Sequence, residues 1–387
     1  MAIIPVILEI IRYIMASIKE NKVKCTIPDG TTAIFGDTFR ITNITIPASV
    51  KIIDNSAFDG LDLDSIDVDV NNLDFYSKDN CLINKKDTID YKAGTALIHG
   101  CKNSVIPSGI NTIEPHAFFG CKSLKSITIP DTVTFIGYSS FEGCTSLEEI
   151  VIPSSVTYID SFAFRGCHAL KKVVFQTTSI KEIYTGLFED CWSLEEITVP
   201  EGVKSIIGNR AFCGCKSLRS VKLPRSLERL EFYGEVFAGC NLDTITIDPL
   251  NNYFHVKGNC LLNEDCTILI RGCNSSTISN TVKLIGNYAF SGCTRLTSID
   301  IPDGVEEIGM RAFENCTALT DIVIPESVKR VGLVAFNGCV NLQNITIPKS
   351  TEFDVNSSFR GCPGAIANGL YNGFYEYRKK LMSCMEP

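Results

Sequence analysis

Residues 118–144 read FFGCKSLKSITIPDTVTFIGYSSFEGC, and the F-x-G-C that opens the stretch also closes it. The same F-x-x-C element follows at Phe164/Cys167, Phe188/Cys191, Phe212/Cys215 and Phe237/Cys240. From Cys121 to Cys240 the cysteines fall 23, 23, 24, 24 and 25 residues apart. It returns at Phe290/Cys293, Phe313/Cys316, Phe336/Cys339 and Phe359/Cys362, 23 apart each time. A fixed period of this length is the signature of a solenoid, in which each coil packs only on its neighbours. One coil cannot bury enough apolar surface to offset its own ordering, so the coils must fold as a stack.

Within one period, Leu124, Ile127 and Ile129 are spaced for a short half-buried strand, and Pro130, with no N–H for a ladder, ends it. Val133 and Ile136 begin a second apolar pass. Gly137 is read as a turn, Phe141 as an interior plug, and Gly143-Cys144 as the return. In the strand, the residues flanking the middle isoleucine point away from the core. Down the first part of the stack these are Ser126/Thr128, Glu149/Val151, Lys172/Val174, Glu196/Thr198 and Ser220/Lys222. They continue as Thr244/Thr246, Ser298/Asp300, Asp321/Val323 and Asn344/Thr346. The expectation is a two-column strip rich in Thr and Ser, suited either to a partner or simply to an exposed sheet. It carries no aromatic anchor, so weak or multivalent contact suits it better than one tight pocket.

The chain has 387 residues, 45% of them hydrophobic and 21% charged, which is enough apolar content for a core. Its net charge of −8 and its scattered lysines and arginines exclude the basic stripe that nucleic acid requires. Eighteen cysteines suggest a disulfide scaffold at first sight. Ten of them occupy one slot of the repeat, however, with an equivalent neighbour above and below and no unique pairing. The preferred reading is a reduced, buried thiol filling a tight turn.

Residues 1–20 carry isoleucines at helical spacing, interrupted by Glu9 and Arg12. The segment is too short and too charged for a membrane span, and only Met1-Ala2 precedes the apolar run, unlike a basic n-region. A helix capping the stack is expected there, with a targeting segment as the alternative. Coils fill 21–362, and a second cap, with a short helix over 374–382, is expected within 363–387. Two stretches, about 67–102 and 248–274, break the period yet resemble each other. Asn80-Cys-Leu-Ile-Asn84 matches Asn259-Cys-Leu-Leu-Asn263, and Leu97-Ile98 before Cys101 matches Leu269-Ile270 before Cys273. A divergent coil is preferred over a protruding binding loop, because the apolar residues persist.

Little chemistry is legible. His99, His116, His168 and His255 show no metal-ligand spacing, and Cys213-Gly-Cys215 is explained by one extra thiol beside a ladder cysteine. Phosphate-loop, nucleophile-elbow and zinc-protease motifs do not occur. The pairs Glu148-Glu149 and Glu195-Glu196 follow the repeat and read as solvated charge. Glycosylation sequons at Asn43, Asn274, Asn315, Asn344 and Asn356 arise readily in such a composition. No catalytic, metal or cofactor site is expected.

The unit I-P-x-x-V-x-x-I-G-x-x-A-F-x-G-C-x-x-L-x-x-I, seen at 301–322 and 129–150, resembles the BspA-like leucine-rich repeat family. The resemblance runs from about Cys25 to Cys362. It implies a leucine-rich repeat solenoid with a curved parallel β-sheet on one face and irregular or short helical segments on the other. Members are commonly surface-displayed proteins of host-associated bacteria and anaerobic protists, and some bind host matrix proteins or other cells. The resemblance therefore implies a non-enzymatic adhesion-type binder of a protein or cell-surface partner. The alternative is an intracellular scaffold of the same shape, favoured by the thiol load and by the lack of a clear signal peptide.

Overall fold

The structure, a computed structural model, describes residues 24–35, 41–85, 95–230, 235–353 and 355–364. The helical cap expected at 1–20 and nearly all of that expected at 363–387 lie outside them. The chain divides into two compact units, Met1–Leu194 and Glu195–Pro387.

In the N-terminal unit each regular coil lays down two parallel rows. The long row holds Lys24–Thr26, Asn43–Ile46 and Ser65–Val68 in one sheet and Glu149–Ile152 beside Lys172–Phe175 in another. The short row has two residues per coil, Thr112–Ile113, Phe135–Ile136 and Tyr158–Ile159. The C-terminal unit repeats the plan. Glu196–Thr198, Ser220–Leu223 and Thr244–Ile247 form one long sheet, and Asp321–Val323 pairs with Asn344–Thr346. Leu284–Ile285, Glu307–Ile308, Arg330–Val331 and Glu352–Phe353 form the short row. Opposite the long row the family resemblance implied irregular or short helical segments. Two-residue strands and tight turns stand there, and the helix Val355–Ser358 is a single turn.

The interior is a set of ladders. Phe118, Phe141, Phe164 and Phe188 are completely buried, and successive rings stack at 4.9, 5.3 and 5.5 Å with planes within 8°. Phe290, Phe313, Phe336 and Phe359 repeat this at 4.9 to 5.0 Å. These separations are at or slightly above one strand spacing of about 4.8 Å, so the parallel ladder imposes offset stacking on the rings. The cysteine slot does more than fill space. Between regular coils the thiol donates to the carbonyl of the phenylalanine one coil earlier: Cys144 to Phe118 and Cys167 to Phe141, both at 3.2 Å, and Cys339 to Phe313 at 3.1 Å; Cys121 and Cys293, which follow the divergent coils, donate instead to the Gly100 and Gly272 carbonyls. That carbonyl is buried, and a small side chain carrying a weak donor satisfies it.

The turn between the rows needs two left-handed residues per coil. The second is commonly glycine, as at Gly143 (φ +74°) and Gly166 (φ +67°). The first, two residues before the phenylalanine, is filled by ordinary residues: Ser139 (φ +50°), Phe162 (φ +59°), Arg311 (φ +55°) and Val334 (φ +50°). A β-branched side chain is a true outlier there. Val334→Asn is expected to raise stability by about 1 kcal/mol in urea denaturation. A loss of stability would show that Val334 packing outweighs its backbone strain.

The two divergent stretches are structural coils built to one design. Phe75–Lys78 and Cys81–Asn84 pair antiparallel, Cys81–Asn84 pairs antiparallel with Ala96–Gly100 through a bulge, and Ala96–Gly100 joins the short row in parallel with Thr112–Ile113. Phe254–Lys257, Cys260–Asn263, Ile268–Arg271 and Leu284–Ile285 follow the same order. Matching asparagines hold both in place. Asn72 donates to the Pro47 and Val50 carbonyls while its Oδ1 accepts from the Asp74 and Phe75 N–H groups. Asn251 does the same with Pro224, Leu227, Tyr253 and Phe254. Each divergent coil enters the short row but is absent from the F-x-G-C turn. There the Gly60 N–H donates across to the Phe119 carbonyl (3.1 Å).

Candidate functional site

Alternation in the strand sets which residues face outward. Sixteen of the eighteen strip residues are exposed, and Val174 and Ser220 are half-buried. Parallel register stacks equivalent repeat positions, with Glu149 opposite Lys172, Glu196 opposite Ser220 and Ser220 opposite Thr244, and Asp321 opposite Asn344. In the second column Lys222 lies between Thr198 and Thr246, and both Lys222 and Thr246 are exposed.

The strip is not continuous, which corrects the unbroken pair of columns expected from the repeat. Lys222 and Thr246 do not lead on to Asp300: the sheet that begins at Glu196–Thr198 ends with Thr244–Ile247, so Thr246 is the last member of its run. The Thr246 hydroxyl donates to the Val221 carbonyl of its own sheet (3.4 Å). Segments 126–129 and 298–301, which carry Ser126, Thr128, Ser298 and Asp300, follow the divergent coils and join no sheet. The path from Cys273 to Ile278 is too short to cross the long row, so the ladder is interrupted there, as it is between Cys101 and Ile106. The structure adds earlier members that the strip as read left out: exposed Lys24, Thr26 and Asp67, with half-buried Asn43, Thr45 and Ser65. The run Ile44-Thr-Ile46-Pro47 carried that signal.

At the second interruption lies a hollow of about 620 Å³. It runs across three successive coils, lined by 298–301 and Asp303, by 321–326, and by Thr346, Ile347 and Pro348. Its floor is apolar, built on Ile299, Ile301, Ile322 and Ile347. At its rim stand Asp300, Asp303, Asp321 and Glu326, and no lysine or arginine lines it. Val323, on the strip, is 63% exposed.

The described histidines do not converge. His116 Nδ1 meets Asp59 Oδ2 at 2.8 Å, His168 stacks on Trp192 at 3.6 Å, and His255 sits in a hairpin strand opposite Leu262. Among the described residues no three His, Cys, Asp or Glu side chains are grouped to hold a metal ion, and no helix is long and apolar enough to cross a membrane. Of the sequon asparagines, Asn315 and Asn344 are exposed and Asn43 is half-buried; Asn274 is engaged with Asn241, Leu242 and Asp243, and the side chain of Asn356 lies outside those described.

No disulfide links the described cysteines. Burial pushes the Cys144, Cys191 and Cys316 thiols far above the ordinary range, which removes the nucleophilic thiolate. Cys213 differs: it is half-exposed, and burial raises it to about 11 while a hydrogen bond from Arg210 opposes the rise. Under native alkylation Cys213 is expected to label first, with the ladder thiols labelling only on unfolding, as peptide mass mapping would show. Early labelling of Cys144 or Cys316 would contradict the closed stack.

Both divergent coils bury a nitrogenous side chain in the same slot, which their sequence match placed together without revealing burial. Arg271 is 2% exposed; its Nη1 donates to the Tyr288 and Ser291 carbonyls (2.9 and 3.0 Å) and its Nη2 to the Cys240 carbonyl (2.7 Å). His99 is 1% exposed, its ring lies 5.0 Å from Phe58, and neither ring nitrogen has a hydrogen-bond partner among the described residues. Burial lowers its pKa from 6.5 to about 3. The unfolded chain therefore takes up a proton at higher pH than the folded one, and stability falls as pH drops through 6.5 toward 3. From pH 6.5 to 5 the expected loss is about 2 kcal/mol. His99→Leu should remove that slope in denaturation curves taken across the window; an unchanged slope would clear His99 of the effect.

Comparison with known proteins bears on this architecture. The BspA type leucine rich repeat region matches in six copies, over residues 9–89, 98–206, 181–268 and 270–368. A leucine-rich repeat protein from Eubacterium ventriosum is similar in structure, with TM-score 0.52 and 23% identity over 63% of this chain and 64% of that one. The chain thus spans less than two thirds of that protein's length. A leucine-rich repeat protein from Bacteroides ovatus aligns over 88% of this chain and 85% of its own, with 25% identity and TM-score 0.47. A leucine rich cell surface protein from Faecalibacterium prausnitzii aligns over 86% and 89%, with 20% identity and TM-score 0.44. No curated protein matches the chain.

Proposed function

This chain belongs to the BspA type leucine-rich repeat family, and on that premise we propose that it is a non-enzymatic binding protein whose long-strand surface engages a protein or cell-surface partner. The observation that carries the reading is the outward row itself: sixteen exposed side chains, twelve of them on short parallel sheets in fixed register. Such a row offers area and repetition, which favour multivalent contact. Exposed Val151 and Val323, at 41% and 63%, supply apolar contact within an otherwise polar surface.

The test uses the full chain to select binders from a displayed random-peptide library. Affinity of the selected peptides is then measured for Glu149→Arg/Lys172→Glu, for Thr198→Arg/Lys222→Glu, and for Asn209→Arg, which lies off the strip. Loss of at least about tenfold, or 1.4 kcal/mol, with a strip variant and none with Asn209→Arg supports the reading. Equal affinity across all variants overturns it. The intracellular scaffold would use the same surface, and the role of the thiols as buried donors favours that second reading. N-terminal sequencing and a thiol count on protein from its source separate the two.

A further inference from the structure

We infer that the first divergent coil is an acid-sensitive latch: protonation of His99 parts the joint between 54–63 and 114–123 locally, while the equivalent joint around Arg271 stays closed over the same pH range.

The two joints share one design and differ in one slot. His99 and Arg271 each stand two residues before a cysteine of their divergent coil, Cys101 and Cys273, and both are buried. Arg271 shows what a cation needs there. Its guanidinium bridges the joint, donating to the Cys240 carbonyl on one side and to the Tyr288 and Ser291 carbonyls on the other. The corresponding carbonyls at the N-terminal joint are those of Leu61, His116 and Phe119. The Phe119 carbonyl is taken by the Gly60 N–H (3.1 Å), and among the described residues the imidazole reaches none of the three. Its ring lies instead against Phe58. A neutral imidazole is tolerable in so dry a slot. An imidazolium, with two N–H donors and nothing to accept them, is not.

The other ionisable groups on the elements packed against His99 do not supply that acceptor. On its own strand and the paired strand Cys81–Asn84 these are the thiols of Cys101 and Cys81, and across the joint that of Cys121. Burial raises all three, Cys81 to about 11 and Cys121 to about 12, so they stay protonated in mild acid. Lys102, after Cys101, is held by Asp64. Beyond the strand Thr112–Ile113 stand Glu114 and His116, and Asp54 and Asp59 flank Phe58. His116 is engaged with Asp59 (2.8 Å), and neither ring nitrogen of His99 hydrogen-bonds to any of these groups.

The response is local because each coil of a solenoid packs only on its neighbours. A proton that the closed slot rejects is admitted when the two coils beside it part, without unfolding coils further along. Arg271 is charged at every pH in question and already has its three carbonyls, so acid changes nothing in its slot.

Hydrogen exchange on the full chain, read by mass spectrometry at pH 7.5 and pH 5 and normalised to intrinsic rates, tests the latch. The open form gains about tenfold for each pH unit below 6.5, so protection over 54–63 and 114–123 is expected to fall about thirtyfold at pH 5. Protection over 235–243 and 287–296, at the Arg271 joint, is expected to hold within about twofold. His99→Leu should abolish the fall, and His116→Asn, which removes the imidazole paired with Asp59, should leave it in place. Equal loss at both joints, no loss at the N-terminal joint, or a response that survives His99→Leu overturns the inference. Should His99→Leu fail to fold, the contrast between the two joints of the unaltered chain and the His116→Asn variant still decides: a fall abolished by His116→Asn assigns the response to the Asp59 pair and refutes the latch.

Discussion

Replacing Phe164 with alanine lowers the stability of the N-terminal unit by about 3–5 kcal/mol. The ring is fully buried and stacked between Phe141 at 5.3 Å and Phe188 at 5.5 Å. Truncation removes its transfer free energy, leaves a cavity in a closely packed stack, and strips one face from each neighbouring ring. Collapse is resisted because the backbone on both sides is fixed: the Phe164 N–H donates to the Leu187 carbonyl and its carbonyl accepts from the Cys191 thiol. Phe164→Leu keeps most of the volume and should cost about half as much. Urea denaturation measures both. A change below about 1 kcal/mol for the alanine variant would mean that the phenylalanine ladder is not what holds the coils together.

A larger contrast is expected between two glycines that occupy the same slot. Gly120→Ala should cost about 3 kcal/mol or more, and Gly143→Ala about 1–2 kcal/mol. Both have φ near +70°, at +72° and +74°, so both carry the left-handed penalty. At Gly143 a Cβ would lie an ordinary 3.5 Å from the Gly120 Cα. At Gly120 it would lie 2.5 Å from the Gly60 Cα, and backbone cannot swing aside as a side chain can. The reason is the missing divergent coil: at this turn, coils that flank it in sequence touch directly. The C-terminal unit repeats the case, with a Cβ on Gly292 falling 2.5 Å from the Gly239 carbonyl carbon while one on Gly239 would be 3.7 Å from the Gly214 Cα. Equal losses at Gly120 and Gly143 in denaturation curves would refute the direct contact.

The repeat made the coil legible because each of its signals is local. Pro130 closing a strand, Phe141 as plug and the alternation Leu124, Ile127, Ile129 depend on chemistry within one period, and the exposed or buried state of the strip followed from that alternation. What escaped depends on neighbours one or more coils away. Nothing in F-x-G-C says that the Cys144 thiol donates to the Phe118 carbonyl, since the two are partners only after stacking. The strip read as continuous because each coil was considered alone, so Lys222 and Thr246 looked like middle members of one column. The short paths from Cys101 to Ile106 and from Cys273 to Ile278 are the features that break it. His99 looked like one more scattered histidine. Its burial follows from its place in a divergent coil, and its match to Arg271 gave the slot but not the depth. The hollow is lined by residues of three successive coils, 298–303, 321–326 and 346–348, so no single stretch of sequence contains it.

The direct contact across each divergent coil also bears on how the chain finds its fold. Regular neighbours meet across 23 residues, as Glu306 and Lys329 do. At the joint, Ser123 reaches Asp62 across 61 residues and Tyr288 reaches Glu235 across 53. Closing the longer loops costs roughly 1 kcal/mol more in chain entropy, and the hairpin of the divergent coil must already be in register before those contacts can form. Coils on either side can assemble by short-range closure, whereas the joint waits on sequence-distant encounters, which slow folding. Each divergent coil is therefore a kinetic seam, the point at which two quickly formed blocks are stitched into one cooperative unit.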